Sequence, residues 1–484
     1  MTRVRWRVLA AATAVLMCVF ATIGGIAASA ATAGTARPAV SGIKGDPQPE
    51  IKPFKISATG FGGGNAAIEP NGALVVVYAI ANGNGKAVVC VLARGASKCS
   101  SSVTLSPLDG DDLEGVPSVF APSANHVVVL MSTCCDDAAN GDTLVFTSIN
   151  GGRTFAAPVR VGSLGPDAAA RVGNQLVFEE GGHDGAQVES VPALGATGPP
   201  AATATPFTAV SYAQGVGSYK GGALIGTQFD GSVDSTYVKY APAGKNFNAS
   251  SSYHSVGSFS NEQLIAMSGD ALLTEMVSGA LRVRVFNGTT FGPAHVVPAL
   301  GPLTGPAWWG LDTDPRGQVH VFTTRASAPV SYALYMQSSW TGASWSRPVN
   351  LGNAITSDYL GSALDSIGSG VVIGTNDHEP TWIYPVLAPQ GVTFGLKKST
   401  IGKGGSTVAS GKGSPVAKGR AVQLQVERSG LWYTVATTHE NASGAFSFTI
   451  KGAAAGTRDY RAVVSDFAGY LQFGYSAARA LKVS

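Results

Sequence analysis

Fourteen short turns keep phase along this chain, and their period constrains the fold more tightly than any other feature. One series centres on Gly95, Gly151, Gly195, Gly244, Gly288, Gly342 and Gly391, spaced 44 to 56 residues apart. A second runs upstream of it at Asn71-Gly72, Ala124-Asn125, Gly173-Asn174, Gly221-Gly222, Gly269-Asp270, Arg316-Gly317 and Ser369-Gly370. Each member of the second series opens an apolar run such as Leu74-Val75-Val76-Val77-Tyr78 or Val371-Val372-Ile373. Glycine and asparagine between β-rich runs mark tight hairpins, because they accept positive φ. Two such turns per period of about 49 residues describe a four-stranded unit: first strand, turn, second strand, loop, third strand, turn, outer strand. Seven units over residues 62–398 predict an all-β chain folded as a seven-bladed β-propeller. The third period, 172–208, is degenerate, which leaves six or eight blades open.

Residues 148–155 read Ser-Ile-Asn-Gly-Gly-Arg-Thr-Phe. This stretch resembles the Asp-box of sialidases and related propellers, Ser-x-Asp-x-Gly-x-Thr-Trp/Phe, with Asn150 where aspartate is usual. The resemblance implies architecture, since the motif is structural in that family. Sialidases proper bind a substrate carboxylate through three arginines, use a tyrosine with a nearby glutamate, and have six blades. The Arg-Ile-Pro element expected before the first blade is absent here, where the chain reads Ile51-Lys52-Pro53-Phe54-Lys55. Of the arginines only Arg325 falls on an expected binding loop, while Arg153, Arg316 and Arg347 fall on the opposite side or on outer strands. Sialic acid hydrolysis is therefore not the expected activity.

Arg3, Arg5 and Arg7 precede an uncharged run, 8–30, that closes on Ala28-Ser29-Ala30. This reads as a secretory signal peptide over 1–30, followed by an N-terminal extension over 31–61. An uncleaved membrane anchor stays open on length alone. Export permits disulfides. Cys90 and Cys99 flank a strand-turn-strand segment and are expected to face each other across one hairpin; Cys134 and Cys135 form a second candidate pair, with crossed pairing as the alternative.

Charge is unevenly distributed. Residues 396–484 carry seven Lys and five Arg against two Asp and two Glu, a net +8, whereas 31–395 hold 18 basic and 26 acidic residues, a net −8. Residues 389–415 read as the last outer strand followed by a linker rich in Gly, Lys and Ser. Beyond it, short alternating runs at Ala421-Val422-Gln423-Leu424, Trp432-Tyr433-Thr434-Val435 and Phe446-Ser447-Phe448 predict a small β-sandwich over 399–484, linker included. The run resembles Ig-like modules of exported bacterial proteins. Its lysines Lys397, Lys398, Lys403, Lys412 and Lys418 suggest contact with an anionic cell-wall polymer or with the acidic propeller.

In such an architecture the loops joining second to third strands, and unit to unit, form the binding face. The candidates there are Asp136, Asp137, His183, Asp184, Asp234, Trp308, Arg325, Asp377, His378 and Glu379. No Ser-His-Asp signature, P-loop or dinucleotide fingerprint is legible, and neither a cofactor nor a metal is expected. The expectation is a secreted or cell-surface protein that binds an extracellular glycan or protein, without nucleic acid. The alternative is an extracellular glycoside hydrolase working through paired carboxylates.

Overall fold

The computed structural model describes residues 51–56, 63–80, 85–108, 112–134, 143–161, 168–180, 185–196, 203–209, 211–229, 235–260, 265–268, 272–277, 280–298, 309–328, 331–339, 344–354, 359–375 and 381–484. Among them nearly all regular structure is strand, with one 3-10 turn at Ser250–Ser252. Seven antiparallel sheets follow one another in sequence, six of four strands and the third of three. Their first strands are Gly64–Ile68, Asp112–Ser123, Ala168–Val172, Ser211–Tyr219, Ile265–Ser268, Trp309–Thr313 and Tyr359–Leu364. In the third sheet the described residues show, in place of an outer strand, one bridge, Val188 to Ala204.

Most members of the two turn series fall where the period places them; the exceptions are Ser369-Gly370, where the turn sits at Gly368 and Gly370 already opens the second strand, and Gly391, which opens a strand. Gly72, Asn125, Gly173, Gly221, Gly317 and Gly368 turn first strands into second ones, and Gly95, Gly151, Gly195, Gly244 and Gly288 follow third strands, all with positive φ. Gly342 and the turn at Gly269-Asp270 lie outside the described residues.

Packing between sheets explains why the second strands read as unbroken apolar runs rather than alternating ones. In the first sheet Val75, Val77 and Val89 pack with Leu113, Val127, Val129 and Phe146 of the second. The intervening residues Val76, Tyr78, Cys90 and Leu92 pack on the other side with Ala363, Val371, Ile373 and Ile383 of the seventh. Every sheet shares one such apolar cluster with its predecessor and one with its successor, which closes the sheets into a ring. Each fully buried valine, leucine or isoleucine stabilises this arrangement by about 1.5–3 kcal/mol. The fold is thus all-β and propeller-like.

One strand differs from the sequence reading. The outermost strand of the seventh sheet is the N-terminal Phe54–Lys55, paired with Trp382–Val386, and not the stretch around Gly391. Gly391–Leu396 pairs instead with Ser406–Ser414, so residues 389–415 are no linker but the start of a second body of sheets. The physical reason is closure: a ring finished by its own N-terminal segment joins the beginning and the end of the described ring by hydrogen bonds within one sheet.

The C-terminal strands form two facing sheets. One is ordered Gly391–Leu396, Ser406–Ser414, Ala445–Lys451; the other is Thr400–Ile401, Arg479–Val483, Gly456–Val464, Ala421–Arg428, Leu431–His439. The first strand segment crosses from one sheet to the other, where Thr400–Ile401 runs parallel to Arg479–Val483. Phe394, Ala409, Phe446, Phe448 and Ile450 of one sheet meet Val422, Leu424, Tyr460, Ala462 and Leu481 of the other in a single core.

Candidate functional site

Nine of the ten predicted ligand contacts, Asp136, Asp137, His183, Asp184, Asp234, Trp308, Asp377, His378 and Glu379, lie outside the described residues, as does Cys135. Arg325 lies on the strand Val319–Ala328, its backbone opposite Ala333. The described residues build a different site, made by the first strands and not by the loops.

A cavity of about 460 Å³ is lined by residues of six of the seven first strands, so it lies on the axis that those strands surround. Asn65, Ser118, Arg171, Ser218, Asp312 and Ser362 each bring a polar group to the wall, one from each strand, among small and apolar neighbours such as Ala169, Val119 and Leu360. The first strands approach one another closely enough that side chains are excluded in places. A Cβ on Gly361 would come 2.5 Å from the Gly64 carbonyl and 3.1 Å from Asn65 Cα. Glycine here lets two backbones meet. Arg171 is tied across the second-to-third boundary, its Nη1 donating to Pro122 O at 3.0 Å and its Nε to Gly173 O at 3.2 Å. Asp312 Oδ1 accepts from Thr313 N at 2.7 Å. The signal that would have pointed here is a polar residue recurring inside otherwise small, apolar first strands.

The Ser148–Phe155 turn is a closed hydrogen-bond knot. Asn150 Oδ1 accepts from Ser148 Oγ at 2.9 Å and from Thr154 N at 3.0 Å, while its Nδ2 donates to Thr154 Oγ1 at 2.8 Å. Ser148 Oγ accepts in turn from Gly152 N at 2.9 Å. Asparagine supplies the acceptor that aspartate would, plus a donor, and Phe155 packs against the cluster between the first and second sheets. The knot is structural, and none of its residues lines the axial cavity.

A Ser-His-Asp chain does occur in the sixth sheet, although no sequence signature announces it. Ser338 Oγ lies 2.8 Å from His320 Nδ1, and His320 Nε2 lies 3.2 Å from Asp314 Oδ2. Asp314 also accepts from the Arg316 guanidinium at 2.5 Å and from the backbone N–H groups of Arg316 and Gln318 at 2.9 and 3.1 Å. A carboxylate so fully engaged anchors the turn between two strands. Burial pushes the Asp314 carboxyl up, but the His320, Arg316 and Gln318 contacts outweigh it and hold the group well below the usual carboxylate range. With a depressed folded-state pKa, its contribution is complete above the unfolded value of about 4 and is lost as pH falls below it. Asp314→Asn is therefore expected to cost about 2 kcal/mol at pH 7 and to flatten the decline in stability below about pH 4. Urea unfolding from pH 7 to pH 2.5 measures this; a variant that parallels the parent throughout would show that the carboxylate carries no such load.

Two buried glutamates occupy the third sheet. Burial pushes the Glu189 carboxyl up, partly offset by a 2.6 Å hydrogen bond from Thr203 Oγ1. Glu179 pairs with Val188 and Glu189 with Phe178, so in a pleated pair the two carboxylates point to opposite faces and do not form a catalytic couple. Among the described residues no group of three or more His, Cys, Asp or Glu is placed to hold a metal. Cys90 and Cys99 are joined as a disulfide, with Cα atoms 5.5 Å apart. Closing so short a loop stabilises the first sheet by about 2–3 kcal/mol in the chain-entropy account.

No family model matches the sequence, and no curated protein matches it. Among solved structures, the chain is similar to a putative 6-phosphogluconolactonase from Bacteroides uniformis, at 10% identity and a TM-score of 0.39 over 67% of this chain and 97% of that one. It is also similar to a PL25 ulvan lyase, at 11% identity and a TM-score of 0.31 over 67% and 78% of the two chains. A GH43 enzyme from Xanthomonas citri aligns at 9% identity and a TM-score of 0.28 over 58% and 86%. At these scores the likenesses carry no argument about chemistry.

Proposed function

We propose that the seven sheets are the blades of a seven-bladed β-propeller, that the C-terminal sheets form an Ig-like sandwich, and that the exported protein binds an extracellular glycan in the axial cavity. The observation that carries this reading is the ring of Asn65, Ser118, Arg171, Ser218, Asp312 and Ser362 around one cavity of about 460 Å³. Hydroxyl and amide groups set among small apolar ones suit a ligand that is itself rich in hydroxyls. Asp312 is the one carboxylate among the described residues lining the cavity. Hydrolysis by paired carboxylates needs two facing the same bond, and the described lining supplies one, so turnover would need a second carboxylate from the rim loops. The loop residues Asp136, Asp137, His183, Asp184, Asp234, Trp308, Arg325, Asp377, His378 and Glu379 are assigned to the rim of the same site. Export is supported by the signal segment and by the Cys90–Cys99 disulfide, which an oxidising compartment preserves. The basic C-terminal module is assigned to an anionic envelope polymer.

Calorimetric titration of the full chain with neutral and acidic oligosaccharides tests the axial reading. The double variant Ser218→Val/Ser362→Val is expected to bind about tenfold or more weakly, at a few-fold per hydrogen bond lost. Unaltered affinity would move the site off the axis, and release of new reducing ends would replace capture with hydrolysis.

A further inference from the structure

The charge of the C-terminal module is segregated by sheet, which sequence alone does not reveal. Of its four carboxylates, Glu427 and Asp459 lie on strands of the larger sheet, Glu440 is buried against Arg420, and Asp466 lies between the strand Gly456–Val464 and Phe467. The three strands of the smaller sheet, Gly391–Leu396, Ser406–Ser414 and Ala445–Lys451, carry none.

Register then fixes what the outer face of that smaller sheet presents. Thr393 lies opposite Lys412 and Lys412 opposite Ala445; Gly395 lies opposite Ser410 and Ser410 opposite Ser447; Ser406 lies opposite Lys451. Counting by twos, this face holds Thr393, Gly395 and Lys397 on the first strand, Ser406, Val408, Ser410 and Lys412 on the second, and Ser447, Thr449 and Lys451 on the third. Lys397, Lys412 and Lys451 are all exposed. The result is a hydroxylated surface, three strands wide and about 20 Å long at the usual strand rise, with cations at both ends and no anion.

We propose that this face docks a linear polymer whose negative charge is carried by phosphodiester groups linking polyols or sugars. The assignment rests on the reading of the basic module given above and adds the surface and the ligand chemistry. Lysine is the only charged residue on the face. Arginine grips carboxylate and phosphate alike through its bidentate fork, whereas lysine meets a phosphate as a point charge, which suits single charges spaced along a chain. The module's arginines are engaged or placed elsewhere: Arg420 is buried with Glu440, Arg461 stacks 4.3 Å from the Trp432 ring and 4.9 Å from that of Tyr475, Arg428 and Arg458 belong to the larger sheet, and Arg479, also on the larger sheet, donates from Nε to Phe394 O at 3.3 Å. Serine and threonine hydroxyls between the lysines offer hydrogen bonds to a polyol. The face carries no aromatic ring on which bases would stack, and three lysines over about 20 Å are sparse against the charge density of a nucleic acid duplex.

The test uses the full chain and poly(glycerol phosphate) at about 50 mM ionic strength, with polygalacturonate, duplex DNA and neutral dextran as comparators. Poly(glycerol phosphate) is expected to bind best and to detach as added salt shortens the screening length. The triple variant Lys397→Gln/Lys412→Gln/Lys451→Gln, which alters only exposed side chains, is expected to bind about a hundredfold more weakly, at roughly fivefold per lysine near an anionic surface. Lys482→Gln, on the larger sheet, is expected to bind within twofold of the parent. Equal loss in the triple variant and in a triple variant of the larger sheet would assign binding to net charge and overturn the face while leaving the basic module in place. Preference for polygalacturonate or DNA would overturn the phosphodiester assignment, and no binding to any polyanion would overturn the module's role as well.

Discussion

Replacing Glu440 with alanine is expected to destabilise the C-terminal sandwich by about 3–5 kcal/mol, the cost of stranding a buried cation. Glu440 Oε1 accepts from Arg420 Nη2 at 2.6 Å, and both side chains are fully buried. Glu440 Oε2 accepts from Ala417 N at 3.2 Å, and Arg420 also donates to Pro415 O at 3.1 Å and to the Gln390 side chain. The pair therefore pins three chain segments together where the sandwich begins. A Cβ on Gly413 would run into both charged groups, so the pocket around them has no slack. The same reasoning makes a second variant informative. Arg420→Met/Glu440→Leu removes both charges and leaves apolar volume, and is expected to recover most of the loss, because an ion pair so deeply desolvated contributes little net stability over packed side chains. Chemical denaturation of the three proteins measures the difference. A single-variant loss below about 1 kcal/mol would mean that water reaches Arg420 and screens it.

How much of this was legible in the sequence depended on which physical signal each feature leaves. The turns were legible because positive φ restricts the residue, so Gly72, Gly95, Gly151 and Gly244 announce themselves. The hairpin bridge was legible because Cys90 and Cys99 stand a short loop apart. Closure by Phe54–Lys55 was not, since a two-residue strand has no period and its partner Trp382–Val386 lies more than three hundred residues away. Gly391 was misread for the opposite reason. It keeps phase with the turn glycines, yet it opens a strand of the sandwich and is not among the residues of positive φ. The axial wall escaped notice because Ser118, Ser218 and Ser362 are unremarkable alone and gain meaning only when six strands bring them around one space. The lysine face was half visible: composition gave the charge, but only register put Lys397, Lys412 and Lys451 on one side of one sheet.

Gly95→Leu is expected to part the sandwich from the ring. Gly95 has φ near 74°, and any Cβ there would sit inside the Ala468 carbonyl and against Gly469. Both neighbours are backbone, which cannot swing aside as a long side chain can. The cost combines a strained left-handed conformation, about 1 kcal/mol, with overpacking of about 1–3 kcal/mol. Undocking relieves the second. What would separate is specific: Ala388 N donates to Tyr470 O at 2.8 Å, Gln472 N donates to Ala388 O at 3.1 Å, and Leu471 shares an apolar cluster with Ala388 and Ala417. Tyr470 also stacks 4.3 Å from the Arg94 guanidinium, which is ion-paired with Asp365 and donates to Ser369 Oγ at 3.1 Å. Arg94 belongs to the first sheet and Asp365 to the seventh, so the sandwich covers the pair that crosses the closing seam. Undocking should expose that seam and lower the melting temperature of the ring itself, beyond loosening the tail. Calorimetry is expected to show one transition split into two, with a larger radius of gyration in solution scattering. Gly244→Leu is the control, since Gly244 has φ near 77° in the same turn series but nothing within 4 Å of its Cβ position. It carries the conformational strain without the collision and should leave one transition. If both variants behave alike, the Gly95 contact does not hold the two bodies together, and the Ala388 hydrogen bonds and the Leu471 cluster suffice.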